Sequence, residues 1–498
     1  MTTLVTTLPK RVDDREEQIE KAFLLASGIF FLIHTLLRTA QQGALEIDEA
    51  ELLFYSQQFQ LGYSNQPPLY TWLQWAVFEV FGVNHAGLAA LRNVLLYALY
   101  ACMFRLSKPL LGALAAAAVS SSMLLIVPLG WEALIDRTHS TLATALGAGA
   151  LWTYYTLLQR PGRWRMALLG ALLGLGMLSK YNFIIFIIGL AAASLAVPEH
   201  RRQIWNSSLW IAVASGTLCV LPHAAWFLQH LHTATSDTLD KMQIGSHGST
   251  YASHVSNGFK NLFVSILSFI SPLWLLLAFA YRSPGQAQRR FNTPDARFFL
   301  CMYAVGLAVV VAILLTGQMA NFKSRWVQPL LFSVTLVRFV CYPAARGSDV
   351  YRRVLLGSVV FGVVMTALLA VRPQVQGALG KHPRILQPYH ELGLDLAQRF
   401  PDAKLVAVQD RDIGGNLHIH LPGKPIRLIE EACGPARRPD GKLVLLVQSG
   451  NAAPLRRFQD TCPGSVVVER GQVRAQSLRH PHESLLFDYV LVAPASGA

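Results

Sequence analysis

The chain has 498 residues and a net charge of +14, yet only 14% of its side chains are charged and 52% are hydrophobic. Soluble proteins carry about 25% charged residues, so this balance excludes disorder, collagen, coiled coil and small disulfide scaffolds. The basic excess leaves two classes, a nucleic-acid binder or an integral membrane protein, and its placement along the chain decides between them.

Residues 1–21 are polar and of mixed charge, with Lys10, Arg11, Asp13, Asp14, Arg15, Glu16 and Glu17. They lack the apolar core and small-residue cleavage site of a secretory signal, which places this segment in the cytoplasm. Eleven stretches then approach the ~20 apolar residues that cross a bilayer. They fall at 22–37, 88–104, 111–129, 139–158, 166–179, 182–197, 207–228, 260–280, 298–316, 327–342 and 354–371. With alternating spans, the cytoplasmic segments hold eighteen Lys and Arg and the external loops seven. This bias is the one that sets orientation in the membrane. An odd number of spans leaves the C-terminal tail outside. The basic residues are scattered through short loops and form no patch with a nucleic-acid-binding module, so no nucleic-acid partner is expected.

The segment between the first two spans, 38–87, is too long for a mere connection. It holds four carboxylates in six residues, Glu46, Asp48, Glu49 and Glu51. On a helix Asp48 and Glu51 share a face with Leu52 and Tyr55. The alternative is a solvated helix start whose acids complement the helix dipole. A turn made rigid by Pro67 and Pro68 follows Tyr63 and Gln66, and leads into an aromatic helix with Trp72, Trp75 and Phe78 that suits a membrane interface.

The later external loops are shorter and each carries polar groups: Asp136 and Arg137, Lys180 and Tyr181, and Lys323, Arg325 and Trp326. Cations on that face can hold an anion, and carboxylates can act as base or metal ligand. Each has a plainer role open to it: Lys180 could snorkel to the interface, Lys323 and Arg325 could anchor a span, and Asp136 could pair with Arg137 or cap a helix. His230, His232, His247 and His254 match no metal motif and read as ordinary loop residues.

Long apolar runs stop near Pro373. Residues 373–498 instead show β-type runs at Lys404–Gln409, Leu443–Val447, Ser465–Glu469 and Leu485–Val492 and a helical stretch at Tyr389–Phe400, which predicts a small α/β domain. Cys433 and Cys462 are its only cysteines, and an external location permits either a disulfide or two thiols.

The block Asp48-Glu49-Ala-Glu51, then Gly62-Tyr63-x-x-Gln66-Pro67-Pro68-Leu69-x-x-Trp72-Leu73, resembles the first external loop of the GT-C glycosyltransferases. Within that superfamily it is similar to the protein mannosyltransferases and lipid A aminoarabinose transferases, with Gln66 where the family usually has His. Ile135-Asp136, Gly174-x-Gly176-Met-Leu-Ser179-Lys180-Tyr181, Arg325-Trp326-x-x-Pro329 and the turn Leu421–Pro425 match further segments in order.

The resemblance implies a polytopic helical membrane protein of the bacterial inner membrane, with the transferase domain at 22–372 and the 373–498 domain in the periplasm. It implies inverting transfer of a sugar from a polyprenyl-phosphate donor to a cell-envelope acceptor among membrane lipids. In that reading Asp48 is the general base, and Glu49 and Glu51 orient it, raise its pKa or bind a divalent metal. Lys180, Lys323, Arg325 and Arg137 hold the donor phosphate. Tyr63, Gln66, Pro67, Pro68, Asp136, Tyr181 and Trp326 bind substrate or shape the loops. Two readings compete. A transporter or flippase would place ionisable groups at the bilayer midplane and show repeats, and a non-catalytic assembly subunit would leave the carboxylates without a task.

Overall fold

The computed structural model describes residues 8–64, 66–231, 234, 250–282, 286–345, 348–432, 441–451, 453–462, 465–478 and 482–494. Nineteen α-helices are present among them: α1 Leu8–Gln41, α2 Ile47–Tyr55, α3 Leu69–Phe81, α4 His85–Leu111, α5 Ala113–Ser122, α6 Trp131–Ile135, α7 His139–Gln159, α8 Arg163–Ser179, α9 Phe183–Ala196, α10 Pro198–Ile204, α11 Leu209–Gln229, α12 Tyr251–Ala280, α13 Pro294–Leu315, α14 Gln328–Leu331, α15 Val334–Cys341, α16 Val350–Ala378, α17 Tyr389–Arg399, α18 Arg411–His418 and α19 Ala453–Thr461. Five strands complete the fold: β1 Leu405–Val408, β2 Ile426–Leu428, β3 Leu443–Gln448, β4 Ser465–Gln476 and β5 Ser484–Pro494.

Helical structure stands at every one of the eleven expected positions, in helices of differing length. Among the described residues six helices (α1, α4, α11, α12, α13 and α16) are individually long and apolar enough to cross a membrane, seven if α9 and α10 count as one bent span. Pro198 opens α10, and the chain bends there by 109°. The stretch expected at 111–129 is a short helix followed by one 3-10 turn, Met123–Leu125. At ~1.5 Å per residue its thirteen residues reach about 20 Å, short of a ~30 Å hydrocarbon core. The stretch expected at 327–342 is broken into α14 and α15 at Phe332–Ser333. On α16, Val359, Val360, Val363 and Leu368 are each more than half exposed. A continuous apolar surface of that kind needs an apolar solvent, and the chain is a multi-pass membrane protein.

The chain divides into two compact units. One comprises 1–34, 60–70 and 92–366, and the other 35–59, 71–91 and 367–498. The first unit is helical, and its close helix contacts use glycine. A Cβ on Gly170 would lie 2.0 Å from the Ala212 carbonyl oxygen, and one on Gly174 2.5 Å from that of Gly216. The backbones of α8 and α11 therefore touch, as small residues permit in membranes.

The second unit is built on a mixed sheet of order β2-β1-β3-β5-β4. β1 pairs in parallel with β2 and β3, and β5 is antiparallel to β3 and β4. Side chains alternate across a strand, and both faces are apolar. Val406, Val408, Val444 and Leu446 join one core with Tyr389, Leu392, Ala44 and Phe54. Leu405, Ala407, Leu443, Leu445 and Val447 join another with Phe458 and Cys462. The strands and helix expected in the tail are present, and β2, α18 and α19 are additions. Cys462 is disulfide-bonded and Cys433 lies outside the described residues. Cys102, Cys219, Cys301 and Cys341 are free.

The last expected span ends at 371, and α16 runs on through Pro373 to Ala378. Proline removes the hydrogen bond to the carbonyl four residues earlier, here that of Leu369. The Gln41 side-chain amide donates to the Leu369 oxygen at 3.2 Å instead.

Candidate functional site

The acidic cluster is the start of α2, in the second unit. Glu46 is its N-cap, and a reciprocal capping box joins Glu46 and Glu49, so the local sequence itself specifies where the helix begins. Glu49 is only 1% exposed. Its two oxygens lie 2.8 Å from Arg38 Nη2 and 3.5 Å from Arg38 Nε, and one of them also accepts from the Glu46 amide at 3.3 Å. Arg38 closes the last turn of α1, so this ion pair ties the end of the first span to the first turn of the acid helix. Glu46 meets Arg372 at 3.4 Å, and Glu51 meets Arg411 at 3.4 Å. Asp48 sits half-buried on the same first turn.

Helix α18 packs along α2. A Cβ on Gly415 would lie 1.9 Å from the Ala50 carbonyl oxygen, and one on Gly414 2.6 Å from the Phe54 ring. Only glycine allows this approach. Asn416 accepts from the Leu45 amide at 2.7 Å, and the Arg411 guanidinium stacks 5.2 Å above the Tyr55 ring. Asp412 pairs with Arg384; burial raises its pKa and the arginine opposes that rise. Among the described residues no group of three or more His, Cys, Asp or Glu is placed to hold a metal ion.

The remaining candidate substrate- and phosphate-binding residues lie in the first unit. Tyr63 is buried, its hydroxyl accepts from the Gln60 amide at 2.9 Å, and burial pushes its pKa up to about 12. Gln66 donates its amide to the Tyr63 carbonyl at 3.2 Å, while Pro67 and Pro68 are buried just ahead of α3. Gly62 is packed so closely on Trp226 that a Cβ would lie 2.1 Å from its ring.

His223 on α11 links this loop to the junction of α8 and α9. Its Nδ1 is 2.8 Å from the Leu61 carbonyl oxygen and its Nε2 3.1 Å from the Tyr181 hydroxyl. A carbonyl only accepts, so Nδ1 carries the hydrogen and the Tyr181 hydroxyl donates to Nε2. Burial raises the Tyr181 pKa. His223 was not singled out in the sequence, because a lone His inside an apolar span carries no local signal.

Lys180 is half-buried. Its Nζ donates to the Ser140 hydroxyl at 2.5 Å and lies 3.4 Å from the Arg325 carbonyl oxygen. The Asn182 side-chain amide donates to the Trp326 carbonyl at 2.5 Å. Lys180, Arg325, Trp326 and the first turn of α7 are thus brought together, with Lys323 at the cap of the short turn Ser324–Trp326. Arg137 pairs with Glu132 at 3.0 Å, and Asp136 caps the C-terminus of α6. The buried Arg92 donates to the Ile135 carbonyl at 2.9 Å. His230 stacks on Trp226 at 4.7 Å and His254 bonds the Gly317 carbonyl at 3.1 Å. His232 and His247 lie outside the described residues.

Residues 65–226 match the family model described as dolichyl-phosphate-mannose-protein mannosyltransferase. The chain is 31% identical over 416 residues to the lipopolysaccharide core galacturonosyltransferase RgtA of Rhizobium johnstonii, covering 82% of each chain. It is 28% identical over 401 residues to the lipopolysaccharide core galacturonosyltransferase RgtB of the same organism, covering 80% of this chain and 81% of that one. The crystal structure of ArnT from Cupriavidus metallidurans bound to undecaprenyl phosphate superposes with a TM-score of 0.62 at 13% identity, over 94% of this chain and 97% of that one. The chain is a membrane glycosyltransferase and belongs to the GT-C superfamily, in the group that includes the protein mannosyltransferases and lipid A aminoarabinose transferases.

Proposed function

We propose that the protein transfers a hexuronic acid from a polyprenyl-phosphate donor to lipopolysaccharide at the periplasmic face of the inner membrane, with inversion. The relationship to two core galacturonosyltransferases over four fifths of the chain supports the sugar and the acceptor. The similarity to a fold that binds undecaprenyl phosphate supports the donor. The excess of Lys and Arg in the loops assigned to the cytoplasm supports the orientation, with residues 373–498 periplasmic.

In the reaction, an acceptor hydroxyl oxygen forms a bond to the anomeric carbon while the bond from that carbon to the phosphate oxygen breaks. Polyprenyl phosphate leaves, and the hydroxyl proton passes to the Asp48 carboxylate. Glu49, buried against Arg38, anchors the helix that carries the base, and Glu51 steadies it through Arg411. Lys180, Lys323, Arg325 and Arg137 hold the departing phosphate, where cations stabilise developing negative charge. Tyr63, Gln66, Pro67, Pro68, Asp136, Tyr181 and Trp326 bind substrate or shape the loops.

The observation that carries this reading is the bracing of Asp48's helix by the capping box and the Arg38–Glu49 pair, since a base must be held still to act. The test is transfer by the purified protein from synthetic galacturonosyl and galactosyl polyprenyl phosphates to rough lipopolysaccharide. The uronosyl donor should react at least tenfold faster. Equal rates would remove the uronate, and no transfer from either would remove the donor class.

A further inference from the structure

The second unit contains a cavity of about 550 Å³ outside the acid cluster, within the ~300–1,000 Å³ typical of small-ligand sites. It lies between the turn that leaves α1, the start of α4, and the residues flanking α17 and following α18. Gln42, His85, Gln387, His390, Glu391 and His420 give it a polar lining, alternating with the apolar Val83 and Leu386. No lysine or arginine lines it among the described residues. An anion would find no countercharge there, whereas a neutral polyhydroxyl ligand has amides, imidazoles and a carboxylate to bond and apolar surface for its C–H faces.

The histidines sharpen that preference. His390 Nδ1 and His420 Nδ1 face each other at 3.4 Å, so one donates and the other accepts. In neutral imidazole the two nitrogens have opposite roles. The ring that donates through Nδ1 therefore keeps an accepting Nε2, and the ring that accepts keeps a donating Nε2, whichever is which. Such a pair matches adjacent sugar hydroxyls, each both donor and acceptor. His85 Nε2 is 2.9 Å from the Gly43 carbonyl oxygen, so it carries the hydrogen and leaves Nδ1 as another acceptor. Burial lowers the His420 pKa to about 4, which keeps that ring neutral at ordinary pH.

The cavity is also close in the chain to the chemistry. Gly43 lines it, and Asp48 is five residues further on, within about 17 Å even for extended chain. We propose that this cavity is the saccharide subsite of the acceptor, holding a neutral, hydroxyl-bearing sugar of the lipopolysaccharide core while another hydroxyl is presented to the base. This inference rests on the transferase reading for its role, but the binding it asserts can be tested without transfer.

Gln42 has φ +42°, a backbone conformation that glycine adopts freely, so Gln42→Gly removes an amide without backbone cost. Saturation-transfer NMR on the full chain in detergent, with deacylated rough-lipopolysaccharide oligosaccharide as probe, should show binding by wild type. Gln42→Gly and His390→Ala should each weaken it about three- to tenfold, the loss of one hydrogen bond. In transfer assays the same variants should raise the acceptor KM by a similar factor and leave the donor KM unchanged. No binding by wild type, or equal binding by both variants, overturns the subsite. Binding that the variants weaken, with no transfer by wild type from the polyprenyl-phosphate donors, keeps the subsite and refutes the proposed donor class.

Discussion

The Arg38 guanidinium and the Glu49 carboxylate form a two-pronged ion pair in which the side chains are 9% and 1% exposed. Buried charges of this kind are costly unless matched. Removing Arg38 would strand Glu49 and, with it, the first turn of α2. Arg38→Met should therefore destabilise the protein by about 3–5 kcal/mol, read as a lower unfolding temperature in detergent. The double variant Arg38→Met/Glu49→Met should recover most of that stability, because no uncompensated charge remains.

The approach of α18 to α2 sets a second expectation. With only 1.9 Å available at Gly415, Gly415→Ala must push the two helices apart, at a cost of about 1–3 kcal/mol. Transfer should fall even at temperatures where the variant stays folded, because α2 carries Asp48. Gly149→Ala, where an added Cβ would meet nothing closer than the Leu172 side chain at 3.8 Å, should leave transfer unchanged and checks that the effect is local.

Burial lowers the pKa values of both His418 and His420 to about 4, from an ordinary 6.5. The unfolded chain then binds protons that the folded chain refuses as pH falls below about 6.5. Stability should be level above about pH 7 and decline steadily from pH 6.5 toward pH 4. Melting curves across that range check the sign. His418→Gln should flatten part of the slope.

Lys180 lies against Ser140 and the Arg325 carbonyl, so a phosphate bound there would gain a charge-assisted hydrogen bond, roughly twice as strong as a neutral one. Lys180→Met should raise the donor KM at least tenfold and leave the acceptor KM alone. An unchanged donor KM in a folded variant would return Lys180 to anchoring its loop.

Hydropathy alone located eleven of the helical stretches, because apolar runs of that length have few other uses, whereas the short polar helices α18 and α19 left no such run. Alternating apolar runs likewise placed four of the five strands. β2 escaped because Ile426–Leu428 is only three residues long and follows Pro425. The number of full spans was less legible, since a break at Ser333 or Pro198 changes the path without changing composition. The side chain that bonds the Leu369 carbonyl one turn before Pro373, Gln41, is more than 300 residues away in the chain.

The carboxylate cluster was visible, but the partners of its members were not. Arg38 read only as a charge at the end of a span, and Arg372 and Arg411 lie in segments with no motif. His223 and the glycines of α18 act through tertiary contacts that no local pattern announces.

The account stands most directly on Asp48, since Asn has nearly the same shape but cannot take a proton at neutral pH. The purified Asp48→Asn variant should keep its fold and its binding of the polyprenyl-phosphate donor. Its transfer rate at saturating substrates should fall about 100- to 10,000-fold, the usual contribution of a general base. A rate within a few-fold of wild type, with donor binding intact, would contradict the assignment of the base and with it the mechanism.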